Sequence, residues 1–447
     1  MSIARDARRV LAEGPAAIAE RQRAHLAEIV AHARARSPYY RDLYRNLPPH
    51  VDDPTLLPVT GKKLLMARFD DWITDREVTR DRVEEFVADP DLVGERFLGR
   101  YLVATTSGTS GLRGLFVMDE HNMAVHTGLG SRAGGALGVG DVFRTLAHGG
   151  RTAVITAPGG HFFTVAGTER FRKDNPLVGR MLRVFSMRQP LPELVAELNR
   201  FNPASVAGFL SVLTMLAGEQ ETGRLHIRPA LVIPGGETVT PEKAERLERA
   251  FRAKVRPSYA CTECGFLSFS CAHGWYHVNG DWAVLEPVDA EHRPVPPGEP
   301  SHTVLLSNLA NRVQPILRYD LGDSVLLRPD PCPCGSPLPA VRVQGRAADV
   351  LMFPGVHGEL VSVSPMLFGT VLDRVPGVEQ FQVLQTAPAT LRVRLQPADD
   401  RVWQAVRDGI DRLLADSKAE NVTVERAEEP PRRGPGGKYR RVVPLSA

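Results

Sequence analysis

The sequence is sparing with the residues that cross-link, anchor or strongly charge a protein. Only five of 447 residues are cysteine, too few for a disulfide framework in so long a chain. No uninterrupted apolar run approaches the ~20 residues that a membrane span needs. The opening stretch MSIARDARRVLAEGPAAIAERQRAHL is amphipathic and has no continuous apolar segment. A secretory signal is therefore excluded, and a cytoplasmic location is expected. The formal net charge is +3, which gives no electrostatic reason to expect a nucleic-acid partner. The Gly-x4-Gly-Lys-Ser/Thr pattern of Walker-type nucleotide hydrolases is absent. What remains is ordinary globular material, 43% hydrophobic and 24% charged, long enough for two or three domains with substantial cores.

Helical apolar spacing over residues 18–46 breaks at Ser37-Pro38, and KKLLMARFDDWI predicts a second short helix. From about 100 to 260, strand-like runs (RYLVATT, LFVM, VFRTLA, TAVITA, LRVFSM, PALVIP) alternate with helical ones (PELVAELNRF, LSVLTMLAGEQ, PEKAERLERAF). That alternation predicts an α/β core with largely parallel strands. Between about 275 and 345 the helical patterns stop and a β-rich part is expected. Beyond Arg346 a helix, two strands, a helix and a strand predict a small α+β domain, which ends in the Gly/Pro-rich tail PPRRGPGGKYRRVVPLSA.

The densest signal is TTSGTSGLRG, Thr105 to Gly114, directly after a predicted strand. Glycines allow close backbone approach, and hydroxyls with amides can surround phosphate oxygens. Further motifs follow in order: PGGE (234–237), SYACTE (258–263), RYDLGD (318–323), QGRAAD (344–349) and GGKYRR (436–441). This ordered set resembles the adenylate-forming superfamily of acyl-CoA synthetases and adenylation domains. SPYYRDLY, LPVTGKK and the cysteine-bearing stretches look most similar to its phenylacetate-CoA ligase and coenzyme F390 synthetase branch.

The resemblance implies a large α/β domain over 1–346 that contains the β-rich part. A small mobile α+β lid over 347–447 would complete it. It implies ATP-dependent activation of a carboxylic acid to an acyl-adenylate, then transfer to a thiol, CoA being the expected acceptor. Thr106, Ser107, Gly108, Thr109, Ser110 and Gly111 would hold the β- and γ-phosphates. Gly235, Gly236 and Glu237 would line the adenine, and Tyr259 would stack on it. Thr262 would donate to the α-phosphate, Glu263 would ligate Mg2+, and Asp323 would accept the ribose hydroxyls with Arg346 nearby. Lys438 would be the lysine brought in by the lid to stabilise charge in the transition state. The implied partners are a small-molecule acid, ATP and CoA, with a homodimer left open and neither nucleic acid nor membrane expected.

Three departures from the family pattern are legible. Leu112-Arg113 replaces a Lys-Pro-like ending, Ala260 stands for a glycine, and Ala348 stands where a polar hinge residue is common. These keep two other readings open. One is a non-CoA acceptor (an amine or a carrier-protein thiol), or an inorganic acid such as nitrite in aryl-amine diazotisation. The other is a catalytically silent nucleotide-binding homologue. The resemblance implies that His161 and Phe162, with Phe163 next to them in TAPGGHFFTVAG, are candidates for the wall of the acid pocket, which suits an aromatic or compact acid.

The cysteines cluster as CTECGFLSFSCAHGWYH and PCPCG. Cys271, His277, Cys332 and Cys334 make a Cys3His set suited to a structural Zn2+, with His273 as the substitute for His277. Cys261 and Cys264 offer a competing C-x2-C pair, rejected because Thr262 and Glu263 must face the nucleotide.

Overall fold

The computed structural model describes residues 3–445 except 107–112, 135–137, 158–159, 347–348, 356–358, 398 and 434–438. It begins with the helices Ile3–Glu13, Pro15–Arg36 and Pro38–Leu43. The break between the last two is where the sequence placed it. Ser37 closes one helix and opens the next, its Oγ accepting the Tyr40 N–H at 3.3 Å, while Pro38 occupies the first helical position. KKLLMARFDDWI forms two helices, Lys62–Ala67 and Phe69–Trp72, divided at Arg68.

A five-stranded parallel sheet forms the centre of the α/β part. Its spatial order is Leu182–Ser186, Thr152–Thr156, Ser205–Phe209, Leu231–Gly235 and Lys254–Val255. Helices Leu191–Phe201, Leu210–Glu221 and Pro241–Phe251 pack their apolar faces on it, through Leu198, Leu213, Leu216, Leu247 and Phe251. One predicted strand is overturned. VFRTLA lies in a helix, Val139–Ala147. Val139, Val142, Phe143 and Leu146 fall at i, i+3, i+4 and i+7, a helical stripe that outweighs the β-branched content of the short window. The Asp141 carboxylate also accepts the Gly138 N–H at 2.9 Å, fixing the helix start.

The β-rich part is present as antiparallel sheets. One has the order Ala283–Val288, Thr303–Asn308, Ile316–Asp320; the other runs Asp323–Leu327, Ala340–Arg346, Tyr276–Val278, Ser268–Ser270. The N-terminal helices close onto it. Gln22 donates to the Gly280 and Ala283 carbonyls at 2.6 and 3.1 Å, and Tyr40 OH donates to Pro315 O at 3.0 Å. At the centre of this contact Arg132 and Asp281 form a two-pronged ion pair, both bonds at 2.7 Å and both side chains 1% exposed. Arg132 also donates to Asn279 Oδ1 and Ala7 O, so both terminal nitrogens of its guanidinium are hydrogen-bonded.

A separate apolar core is drawn from residues 351–442. It joins helices Pro365–Leu372 and Asp400–Asp416 to a sheet of order Thr423–Arg426, Thr390–Gln396, Gln380–Ala387, Val442–Val443. The whole is therefore a mixed α/β fold with a larger N-terminal and a smaller C-terminal unit. Among the described residues, no helix is long and apolar enough to cross a membrane.

Candidate active site

The opening loop is closed at its base. Strands Leu102–Thr105 and Leu115–Met118 pair antiparallel, and Thr106 and Gly114 continue the pairing. The Thr106 N–H donates to Gly114 O at 3.1 Å, and the Gly114 N–H donates to Thr106 Oγ1 at 2.9 Å. Ser107, Gly108, Thr109, Ser110 and Gly111 themselves lie outside the described residues. The base carries a cation that sequence reasoning did not single out. Lys62 Nζ donates to Thr106 Oγ1 at 3.1 Å. Lys62 reaches this point because Thr60 adds a rung beside Tyr319. The Thr60 N–H donates to Arg318 O and the Asp320 N–H donates to Thr60 O, each at 2.9 Å.

Glu263 lies on the same side. Burial raises its carboxyl above the usual range, opposed by Arg346, by the Tyr319 hydroxyl and by the Lys62 ammonium. Tyr319 OH donates to Glu263 Oε1 at 3.2 Å, and Asn308 Nδ2 donates to Glu263 O at 2.9 Å. A partly desolvated carboxylate with hard oxygen donors fits a divalent cation such as Mg2+, whose charge would offset that burial.

Tyr259, Asp323 and Arg346 form one connected group. Tyr259 OH donates to Asp323 Oδ2 at 3.2 Å, and Arg346 Nε lies 3.0 Å from Asp323 Oδ1. Register explains the second contact, because Asp323 and Arg346 are directly opposed on neighbouring strands. Burial and the Asp323 carboxylate both push the Tyr259 phenol well up, so it stays a neutral donor.

The glycine pair ends the strand Leu231–Gly235. Gly235 bridges to Ser258, which places the PGGE and SYACTE segments side by side. Gly236 has φ +73°, and a Cβ there would meet the Phe209 ring at 2.7 Å, so the turn requires glycine. The Glu237 side chain turns onto the start of helix Leu210–Glu221. Its two oxygens accept Ser211 N–H and Ser211 Oγ–H, each at 2.7 Å.

The C-terminal unit docks at this point. Arg433 donates to Ser211 Oγ at 2.7 Å, and Tyr439 OH donates to Phe381 O. Tyr439, Phe381 and Arg441 line a crevice together with Ser211, Thr214, and Glu237. Lys438 lies outside the described residues, as does Ala348, but the residues on either side of 434–438 are placed. Of these, Tyr439 lines the crevice and Arg433 bonds to Ser211 in its wall.

The His161 side chain meets Asp89 and Phe86. Its Nε2 lies 3.1 Å from Asp89 O, and its ring packs on Phe86 at 5.3 Å. Its neighbour Phe162 bridges to Thr105 and opens the helix Phe163–Asp174. It is Phe163, one residue further on, that turns inward beside the Glu263 loop, where its ring packs edge-on against His126 at 5.4 Å. The sequence reading placed Phe163 beside His161 and Phe162 in this stretch, but it did not single out His126, which comes from a different segment.

The cysteine cluster assembles away from these groups. The donor atoms of Cys271, His277, Cys332 and Cys334 all lie within 4.8 Å of one another. Cys271 Sγ and Cys332 Sγ are 3.7 Å apart, and Cys334 Sγ is 3.2 Å from His277 Nε2. A tetrahedral zinc with bonds of about 2.0–2.3 Å needs donor separations of about 3.3–3.8 Å, so the set fits that ion. His277 Nδ1 lies 3.2 Å from Leu338 O, which leaves Nε2 as the ligating nitrogen. His273 is exposed and not part of the cluster, and Cys261 and Cys264 form their own turn, Cys264 N–H donating to Cys261 O at 3.1 Å.

No protein-family profile matches the chain. Protein CapK of Staphylococcus aureus is 22% identical over 272 residues, 60% of this chain and 56% of its own length. The match thus spans little more than half of that relative. Among solved structures, 2-hydroxyisobutyryl-CoA ligase in its postadenylation state with 2-HIB-AMP overlays with a TM-score of 0.72 at 19% identity, covering 97% of this chain and 90% of the ligase. The same ligase in its thioesterification state, with 2-HIB-AMP and CoA, overlays at 0.56 with 96% and 89% covered. The anthranilate CoA ligase AuaEII with anthranoyl-AMP overlays at 0.51 with 15% identity, covering 75% of this chain and 65% of that one. This chain has the fold of the adenylate-forming CoA ligases.

Proposed function

We propose that this protein is an AMP-forming ligase that converts a carboxylic acid and ATP to an acyl-adenylate and pyrophosphate, then passes the acyl group to a thiol, CoA being the acceptor. The substrate's carboxylate oxygen attacks the α-phosphorus, and pyrophosphate leaves. The thiolate sulfur then attacks the acyl carbon, and AMP leaves.

The roles follow from position. Thr106 and Lys62 stand at the mouth of the phosphate loop, where a hydroxyl and an ammonium bind phosphate oxygens. Glu263, held by Tyr319, would ligate Mg2+, which supplies charge neutralisation for the triphosphate. Asp323, oriented by Tyr259 and Arg346, faces the ribose. Gly235 and Gly236 bring bare backbone to the adenine. Lys438 stabilises the negative charge that builds between carboxylate and α-phosphate, an electrostatic role without proton transfer. The lid begins after Arg346, and zinc at the Cys3His cluster ties the hairpin after Ser270 to the turn at 332–334.

One observation carries this reading. Arg433 and Tyr439, on either side of the segment that holds Lys438, dock against Ser211 and beside Glu237. Those two contacts bring the described ends of that segment to the glycine segment assigned to adenine. The better overlay with a postadenylation state than with a thioesterification state supports the same lid pose. The resemblance to the phenylacetate-CoA ligase branch favours a compact or aromatic acid.

Replacing Lys438 by Ala should lower acid-dependent pyrophosphate release at least ~100-fold, while CoA thiolysis of a supplied acyl-adenylate survives. Equal loss in both half-reactions would refute the assigned role.

A further inference from the structure

Arg318 holds a left-handed backbone, φ +47°, inside the strand Ile316–Asp320. The cause is a bulge. Leu306 pairs with Tyr319 and Asn308 with Ile316, so Leu317 and Arg318 together stand opposite Ser307. The Arg318 N–H donates to Ser307 Oγ at 2.9 Å. A left-handed backbone strains any residue with a side chain, whereas glycine adopts it freely.

The side chain is as costly as the backbone. It is 11% exposed, and its Nε lies 3.3 Å from Oε1 of Glu286, whose side chain is 12% exposed. One terminal nitrogen donates to Thr55 O at 3.0 Å and to Leu57 O at 2.6 Å. A buried ion pair adds little or nothing to stability over apolar side chains of the same volume. On both counts, stability alone favours a glycine or an apolar residue at this position.

What the arginine does accomplish is local. Its guanidinium binds the beginning of the segment 55–60, and the bulged main chain binds the end. The Thr60 N–H donates to Arg318 O and Thr60 Oγ1 donates to Leu317 O, each at 2.9 Å. The segment is thereby clamped to the sheet at both ends. Two residues further on, Lys62 Nζ reaches Thr106 Oγ1 at 3.1 Å, at the base of the phosphate loop. On the other side of the bulge, Tyr319 OH meets Glu263 Oε1 at 3.2 Å.

We propose that Arg318 is a positioning residue for the phosphate site: it clamps the segment 55–60 to the sheet, and that clamp delivers Lys62 to the phosphate loop. Arg318 itself touches no substrate. This rests on the adenylate-forming reading, in which Lys62 and Thr106 meet the triphosphate, and adds the buried group that sets the lysine's place. The strained backbone and the buried charge are kept because they fix a residue that lies far away in the chain.

The test measures the MgATP dissociation constant of the full-length protein by calorimetry, with a urea midpoint for every variant. Arg318→Met keeps an unbranched side chain and the same backbone strain but removes the clamp. It should weaken MgATP at least ~10-fold, as loss of the Lys62 contact does. Acting through Lys62, it should add no more than ~3-fold to the loss in Lys62→Met when the two are combined. Arg318→Met with Glu286→Gln removes both buried charges, so its midpoint should return close to the parent value while MgATP binding stays weak. Fully additive losses in the Arg318 and Lys62 pair would overturn the inference. So would MgATP affinity that recovers together with the midpoint, since Arg318 would then serve folding alone. A parent that binds MgATP and shows the expected coupling, yet releases pyrophosphate with no acid, would refute the ligase reading and leave the role of Arg318 standing. A parent that binds no MgATP would overturn both.

Discussion

Thr240, at the start of helix Pro241–Phe251, donates a hydrogen bond from its Oγ1 to Asp373 Oδ2 of the C-terminal unit at 2.8 Å. Asp373 is fully enclosed and also pairs with Arg441 and, at 3.7 Å, with Lys243. Nearby, Arg374 pairs with Glu242 at 2.8 Å, but that contact is largely exposed and worth little. The buried set is the one that decides docking. Removing one partner from a buried charge group leaves the others uncompensated.

Asp373→Ala is therefore expected to loosen the lid from the pose seen here. Adenylation should slow by roughly 10-fold or more, and thiolysis of supplied acyl-adenylate should be unchanged or faster. Single-turnover assays of each half-reaction check this. A uniform slowing of both would show that Asp373 serves folding alone.

Lys62 stands 44 residues before Thr106 in the chain and 3.1 Å from it in space. Lys62→Met keeps the aliphatic stem and removes the charge at the mouth of the phosphate loop. Loss of one charge-assisted phosphate contact of about 1.5–3 kcal/mol predicts roughly 10- to 100-fold lower kcat/KM for ATP. The unfolding midpoint should be close to that of the parent. Titrating ATP at saturating acid distinguishes this from a purely structural lysine, for which only the midpoint would move.

The Cys3His cluster predicts about one zinc per chain in the purified protein, measured by elemental analysis. Cys334→Ser should lose the metal and lower the unfolding temperature by several degrees. At low temperature the folded fraction should keep its adenylation rate, because four protein ligands leave no position for substrate. Metal retained in full after the substitution would contradict the ligand assignment.

Glu286 is pushed up to about 7 by burial, with Arg318, 3.3 Å away, opposing the shift. A carboxyl raised in the folded state binds its proton more tightly there than in the unfolded chain. Its contribution is complete below the unfolded value near 4.5 and is lost as pH rises to about 7. Glu286→Gln cannot ionise, so its stability relative to the parent should increase between pH 4.5 and 7. Urea midpoints at several pH values would show the two curves converging or crossing; parallel curves would exclude the effect.

Much of this architecture was legible before the coordinates, and the failures have physical causes. Ser37-Pro38 marked a helix boundary because a hydroxyl cap followed by proline has few other local uses. VFRTLA misled because six residues rich in Val, Phe and Thr look like a strand until the stripe is followed back to Val139. The central strand Ser205–Phe209 went unread because Ser, Ala and Gly have weak strand preference, and burial between two neighbours holds them there.

The candidate site was legible where one motif holds several roles, as in SYACTE and RYDLGD. Lys62 and Tyr319 sit inside quoted motifs, yet their roles depend on a contact between residue 60 and residue 319 that spacing along the chain cannot encode. His126 is harder still, since its neighbours Phe163 and Gly265 come from two other segments. Between His273 and His277 the choice was made by strand register, which faces His277 to the turn at 332–334.

The clasp between Arg132 and Asp281 has a consequence for how the polypeptide must be made. The Ala7 carbonyl bonds to Arg132, and the Gln22 side chain and Tyr40 hydroxyl find their partners between residues 280 and 315. On a ribosome the leading helices would wait for some 300 residues to be synthesised before they could settle. Contacts of such wide chain separation are slow to form and leave sticky surfaces uncovered meanwhile. Yield in a cell should then depend on translation speed and chaperone supply more than on the stability of the finished protein.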